Sequence, residues 1–370
     1  MKSVAAFFRR EPVLVISAAA ALLSMLAVPP GPEYAEYIDL RVLCLLFSLM
    51  AVVDGLKGCG LFAVMAQRLL AGRGSLRRVT MILVLLPFFT SMLVTNDVSL
   101  ITFVPFAVLI LNAIGRTDRL IPVIVLQTVA ANLGSMATPV GNPQNLFIYA
   151  KYSLEAGDFF GAVLPIAGAS LVLLALVVAF GPKGGIEVNF GERAEITHRR
   201  RLMLCVLLFA FCLLAVMRVV HYGAVTAVVF LTLLLVDRAA LKQVDYCLLL
   251  TFVFFFIFAG NIGNIPAVND ALSGMLDGST FFTSLLASQV ISNVPAAVLL
   301  AGFTEDWRGL LLGTDVGGLG TIIASLASLI SFKLYCATPQ ARAGKYLLWF
   351  TVVNVAALVI LIPLALLAGA

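Results

Sequence analysis

Apolar residues run through this chain in long blocks: 12–28, 38–56, 79–94, 98–114, 120–149, 160–180, 202–220, 222–236, 246–262, 271–303, 310–335 and 346–367. A helix crossing a bilayer needs about 20 apolar residues, whereas strands of membrane barrels alternate over segments of roughly 10. These blocks are long and do not alternate, so the pattern predicts an all-α polytopic membrane protein. Two kinds of block are irregular. Runs 79–94 and 98–114 are separated only by Thr95-Asn96-Asp97, and run 271–303 is interrupted by Ser292-Asn293-Val294-Pro295. Runs 120–149 and 310–335 are long but broken by glycine and polar residues. A helix over 79–94 reaches about 24 Å, short of the roughly 30 Å hydrocarbon core. Segments 79–114 and 271–303 are therefore expected to be re-entrant hairpins; two full spans joined by a tight turn give the same parity.

Composition supports lipid as the solvent. Of 370 residues, 62% are hydrophobic and 12% charged, against roughly 45–50% and about 25% in soluble domains. The net charge of +5 lies in short breaks between apolar runs, as in cytoplasmic membrane loops and not as in a nucleic-acid surface. With the amino terminus inside, the basic breaks fall inside and the acidic ones outside. All of the 24 Lys and Arg but Arg41, Lys151, Arg218 and Arg308 are then cytoplasmic. Lys2, Arg9 and Arg10 precede the first run, which is long and ends in Val28-Pro29-Pro30, a poor cleavage site. It is read as a retained helix of an inner-membrane protein with a cytoplasmic amino terminus.

Threading in this way has the hairpins enter from opposite sides. It divides the chain into a half over 1–180 (hairpin 79–114, broken helix 120–149), a polar, glycine-rich cytoplasmic linker over 181–201, and a half over 202–370 (hairpin 271–303, broken helix 310–335). The two breaks align: Gly134 meets Gly317, Thr138 meets Thr321, and Asn145 meets Ser328. The pattern is an inverted-topology repeat, which in transporters places the binding site between broken helices near the midplane. Breaking a helix in lipid strands amides and carbonyls at several kcal/mol each. That is tolerated where helix N-termini meet an anion and carbonyl ends meet a cation. The candidate substrate- and ion-binding residues are Thr95, Asn96, Asp97, Asn132, Ser135, Thr138, Gly141, Asn142, Asn145, Ser292, Asn293, Asp315, Gly317, Thr321 and Ser325. Taken singly, such residues also serve as packing faces and interhelical hydrogen-bond partners.

Enzymatic chemistry is not expected. The six cysteines have neither metal-ligand nor redox spacing, and His198 and His221 lie in or near loops. No catalytic residue, metal centre or cofactor is assigned.

At Thr95-Asn96-Asp97-Val98, 132–145, Ser292-Asn293-Val294-Pro295 and 317–331, the sequence resembles the ion transporter superfamily. Its branches include arsenite efflux permeases, sodium/proton antiporters, citrate-transporter-like permeases and divalent anion/sodium symporters. The resemblance implies a scaffold and a moving transport domain, an elevator motion and a homodimer. In the divalent anion symporters each tip carries Ser-Asn-Thr and binds sodium and substrate carboxylates. Thr95 and Asn96 match the first two places of one tip, Ser292 and Asn293 those of the other, so sodium is expected at Asn96 and Asn293. Asp97 and Val294 depart from the third place. A carboxylate close to an anionic substrate is repulsive in low dielectric, so Asp97 needs a proton, a cation or another direction. It reads either as an ionisable functional group or as a cap of the second hairpin arm.

The expected function is secondary transport of a small anion, a di- or tricarboxylate or an oxyanion such as arsenite, coupled to sodium or protons. The alternative is a cation/proton antiporter using Asp97. The partners are a small anion and the bilayer.

Overall fold

The computed structural model describes residues 11–188 and 193–370. The basic residues Lys2, Arg9 and Arg10 lie outside the described residues. In chain order the elements are α1 (Pro12–Ser24), α2 (Tyr34–Tyr37), α3 (Leu40–Gly58), α4 (Leu61–Leu70), β1 (Gly72–Ser75), α5 (Leu76–Val94), α6 (Asn96–Ala113), α7 (Leu120–Ser135), α8 (Pro143–Lys151), α9 (Ala156–Ala179) and β2 (Gly185–Val188). There follow α10 (Arg199–Val216), α11 (Tyr222–Val236), α12 (Arg238–Gln243), α13 (Tyr246–Gly263), α14 (Pro266–Gly278), α15 (Thr280–Ile291), α16 (Asn293–Leu300), α17 (Trp307–Gly317), α18 (Leu326–Cys336) and α19 (Ala343–Leu367). Among the described residues, α5, α6, α9, α13 and α19 are each long and apolar enough to cross a membrane, and α3 with α4 forms a further, bent candidate. The chain is an all-α polytopic membrane protein.

Local chemistry sets the boundaries. Asp39, Asp245 and Asp306 cap α3, α13 and α17, accepting the N–H groups of Val42, Leu248 and Gly309, the usual N-cap arrangement. Gly60 takes φ 77° between α3 and α4, allowing the 54° bend there. Ser75 caps α5 through the Arg78 N–H at 3.2 Å. The helix therefore starts at Leu76, ahead of the expected residue 79, and its 19 residues reach about 28 Å. The second hairpin is shallower. Ser279 caps α15 and separates it from α14, so the hairpin begins at Thr280 and not at residue 271. Its arms have 12 and 8 residues, about 18 and 12 Å at the helical rise, well short of a crossing.

The linker expected over 181–201 contains β2, which pairs antiparallel with β1, Gly72 opposite Val188 and Ser75 opposite Gly185. Arg77 fastens the same corner by donating to the Gly181 carbonyl at 2.9 Å. Elsewhere α3 packs with α10, α11 and α12, and α1 with α13. Arg201 of α10 pairs with the buried Asp237, which also caps α12 by accepting the Ala240 N–H.

The packing of the broken helices is reciprocal. Each first half lies on the first arm of its own hairpin, α7 on α5 and α17 on α15. Each second half also packs on the other hairpin, α8 on α16 and α18 on α6. This exchange brings both breaks to one place.

Candidate functional site

The two hairpin tips have the same backbone. Thr95 lies at φ 70°, ψ 153° and Ser292 at φ 74°, ψ 153°. This region is nearly reserved for glycine and costs of order 1–3 kcal/mol for other residues. Both tips then restart as helices in the same way. Asn96 Oδ1 accepts the Asp97 N–H at 2.9 Å, and Asn293 Oδ1 accepts the Val294 N–H at 3.0 Å.

The breaks are fastened to the tips by matching contacts. Thr138 Oγ1 donates to the carbonyl of Met92, and Thr321 Oγ1 to that of Gln289 at 2.9 Å. Met92 and Gln289 each stand three places before their tip residue. A Cβ at Gly134 would overlap the Phe88 carbonyl, and one at Gly317 would lie 3.0 Å from Leu285 Cα. Phe88 and Leu285 each stand seven places before the tip.

At the crossing, buried polar side chains meet. Asn132 Oδ1 accepts from Asn96 Nδ2 at 2.9 Å and from Ser325 Oγ at 3.0 Å. Its Nδ2 faces the Gly318 carbonyl at 3.4 Å and Ser328 Oγ at 3.3 Å. The Asn293 amide sits over Gly318, so Asn132 and Gly318 link one tip to the other. Asp315 occupies the place equivalent to Asn132 in the second broken helix. Gln144 Nε2 donates to its Oδ1 at 3.3 Å, and the side chains of Asn142 and Asn145 also face it. Asn132 thus reaches Ser325 and Ser328, and Asp315 reaches Asn142 and Asn145, their counterparts in the aligned breaks.

Asp315 is 3% exposed, and its Oδ2 has no hydrogen-bond partner; the same holds for Oδ1 of the buried Asn142 and Asn145. Among the described residues, no Lys or Arg bonds to any of these groups. A buried carboxylate without a cation costs several kcal/mol, a cost that a proton or a cation would relieve. Unpartnered oxygens are what such a cation would use. Helix N-termini also gather there. Helices α6, α8, α16 and α18 begin at or beside the crossing, at Asn96, Pro143, Asn293 and Leu326, and helix N-termini present N–H groups and a partial positive charge.

A cavity of about 640 Å³ opens beside the first tip. Thr95, Asp97 and Asn142 line it together with Asp54, Lys57, Lys242 and Asp245 from α3, α12 and the start of α13. Asp97 Oδ1 is buried and unpartnered, and no side-chain cap is formed at the start of α6. The Asp97 carboxylate thus stands among the groups that line the cavity.

The expected site residues thus separate into groups. Asn96, Asn132, Asn142, Asn145, Asp315 and Ser325 meet at the crossing, with Asn293 beside Gly318. Thr95 and Ser292 form the tips, and Ser292 Oγ donates to the Ala324 carbonyl at 3.4 Å. Thr138 and Thr321 hold the breaks, and Gly134, Gly141 and Gly317 permit close approach. Ser135 Oγ bonds back to the Asn132 carbonyl at 2.9 Å and does not reach the second break. Sequence reasoning missed Asp54, Lys57, Lys242 and Asp245, although Asp54 is a charged residue inside an apolar run. It also missed Gln289, which donates to the Gly317 and Leu319 carbonyls at 2.7 and 3.0 Å and braces the second break. A lone Gln three places before a tip was the available signal.

Comparison with known proteins points to a transporter. Residues 4–306 match the family model described as citrate transporter. The chain is 28% identical to an uncharacterized transporter of Methanocaldococcus jannaschii, over 93% of this chain and 94% of that protein. It is 30% identical to the inner membrane protein YbiR of Escherichia coli, over 83% of each. A silicon efflux transporter of Oryza sativa subsp. japonica is 31% identical over 49% of this chain and 39% of its own length. The family and two of these relatives are named as transporters and not enzymes, and the chain belongs to the citrate transporter family.

Proposed function

We propose that this protein is a secondary transporter of small anions, driven by sodium or protons, that binds its substrate where the two broken helices cross. The observation that carries the reading is the reciprocal centre: Asn132 against Ser325 and Ser328, Asp315 against Asn142 and Asn145. Four helix N-termini offer N–H groups to an anion, and Asp315 with the neighbouring amide oxygens offers a place for a cation.

The order of binding follows from charge. Two unit charges 4 Å apart interact by about 4 kcal/mol at an effective dielectric constant of 20. An anion entering beside an uncompensated Asp315 meets repulsion of that kind. A cation or proton at the carboxylate removes it, and this dependence couples the two fluxes. Because no Lys or Arg bonds to the centre among the described residues, cation neutralisation matters most for a highly charged substrate. Citrate, the compound in the family's description, is such a substrate; an oxyanion of low charge, closer to the silicon cargo of the rice relative, needs less compensation.

In this reading the halves insert in opposite orientations in the inner membrane with the amino terminus cytoplasmic. The hairpins and broken helices form the moving domain of an elevator, and two copies assemble as a homodimer. The second reading is a cation/proton antiporter. It is favoured by Asp97, whose unpartnered oxygen lies in a cavity shared with Asp54 and Asp245.

Uptake by reconstituted proteoliposomes separates the two. Citrate, succinate and arsenite are offered with a sodium gradient, a proton gradient or neither. The proposal expects gradient-dependent accumulation of at least one anion. Absence of uptake for all three, together with a sodium-dependent collapse of an imposed pH gradient, supports the antiporter.

A further inference from the structure

A second cavity, of about 340 Å³, lies away from the crossing, between α7, α9 and α19. Its walls are apolar, with Leu126, Val177, Trp349 and Val353 among them, while Arg77 and Arg119 stand at one end. That end is marked by the start of α5, the turn before α7 and Gly181 just beyond α9. The apolar part follows α19 from Trp349 to Ile360, about 16 Å at the helical rise. Val177, Trp349 and Val352 remain 48%, 42% and 57% exposed, so the groove is open along its apolar side.

Both arginines keep donors free. Arg77 gives one Nη to the Gly181 carbonyl, its Nε is buried without a partner, and it pairs with no carboxylate among the described residues. Arg119 Nε lies 3.1 Å from Asp118 Oδ2 but is buried without a hydrogen-bond partner, and its two Nη groups make no hydrogen bond among the described residues. In the inside-positive threading this end lies at the cytoplasmic interface, where basic pockets between membrane helices take anionic headgroups.

We infer that this groove is a binding site for an anionic phospholipid, with the phosphate held by Arg77 and Arg119 and an acyl chain laid along α7, α9 and α19. Charge complementarity identifies the occupant. An apolar groove alone accepts any chain, but paired guanidinium groups at its interfacial end discriminate for phosphate carrying net negative charge. A zwitterionic lipid brings its own cationic group to the same place. The walls also bear on the centre: α7 carries Asn132, and Asn354 of α19 accepts the Gly320 N–H at 3.4 Å. The site does not rest on the transport reading, and its test measures binding only.

The chain has 2 tryptophans, so Trp307→Phe leaves Trp349 as the reporter. The full-length variant is placed in phosphatidylcholine vesicles containing increasing fractions of either phosphatidylglycerol or phosphatidylcholine with brominated acyl chains, which quench tryptophan on contact. Brominated phosphatidylglycerol is expected to quench at a roughly thirtyfold lower fraction, the size set by two interfacial arginines. Arg77→Gln with Arg119→Gln should erase the difference, and Arg77→Lys with Arg119→Lys should keep most of it. Equal quenching by the two lipids with both arginines present overturns the proposal, whatever the folding of the variants. So does quenching by neither lipid, the result if a second copy of the chain fills the groove. Relief of quenching by millimolar inorganic phosphate would assign the arginines to a soluble anion instead.

Discussion

At the scale of single residues, two carboxylates matter and they differ. Asp315 sits at the crossing among amides, whereas Asp97 lines the cavity that leads past the first tip. Asp97 Oδ1 has no hydrogen-bond partner, so replacement by Asn, which keeps the shape and caps nearly as well as Asp, isolates its charge. Asp97→Asn is expected to lose gradient-driven accumulation by roughly tenfold or more, since a coupling energy of about 1.4 kcal/mol already corresponds to tenfold. Exchange between equal pools should survive. Uptake at several pH values checks this, and an Asn variant with wild-type accumulation and pH profile removes Asp97 from coupling. The sequence made both residues visible because an acid in an apolar run is conspicuous. It did not show that Asp315 faces Asn142 and Asn145 from the other half. That depends on how the broken helices cross, a tertiary fact with no local signature.

At the scale of elements, the tips and breaks were legible because their chemistry is local. Thr138 and Thr321 stand at matching places in the two breaks, and each hydroxyl bonds the carbonyl three residues before a tip. Gly134 and Gly317 are likewise matched, but the closeness of their contacts differs. Gly134→Ala places a methyl group into the Phe88 carbonyl, which is backbone and cannot rotate away. Overpacking of this kind costs about 1–3 kcal/mol. Gly317→Ala meets Leu285 and Ser288 at 3.0 Å and should be milder. Thermal unfolding in detergent should show the larger drop for Gly134→Ala; the reverse order would contradict the packing of α7 on α5. The β1–β2 ribbon was hidden because Gly72-Arg73-Gly74-Ser75 shows no hydrophobic alternation. The cavity residues Lys57, Lys242 and Asp245 were hidden because they sit at element ends, where a charged residue is ordinary.

In the whole molecule, the proposed transport requires the two halves to be inverted in the membrane. The turn before α7 and the turn before α17 should then lie on opposite sides. In a variant without native cysteines, Arg116→Cys should react with an impermeant thiol reagent only from the cytoplasm and Glu305→Cys only from outside. Labelling of both from one side contradicts the inversion. The exchange of α8 and α18 between the hairpins makes the two halves interdependent, so neither is expected to hold the centre alone.

If the crossing couples a cation to an anion, Asp315 is the group through which it does so. Wild type and Asp315→Asn are reconstituted side by side and given the transported anion with an inward sodium or proton gradient, and separately with equal pools on both sides. Asparagine keeps the shape and the hydrogen bond with Gln144 but cannot exchange a proton or neutralise a cation. Asp315→Asn should lose uphill accumulation and retain equal-pool exchange. Accumulation by Asp315→Asn to the wild-type level would contradict that role.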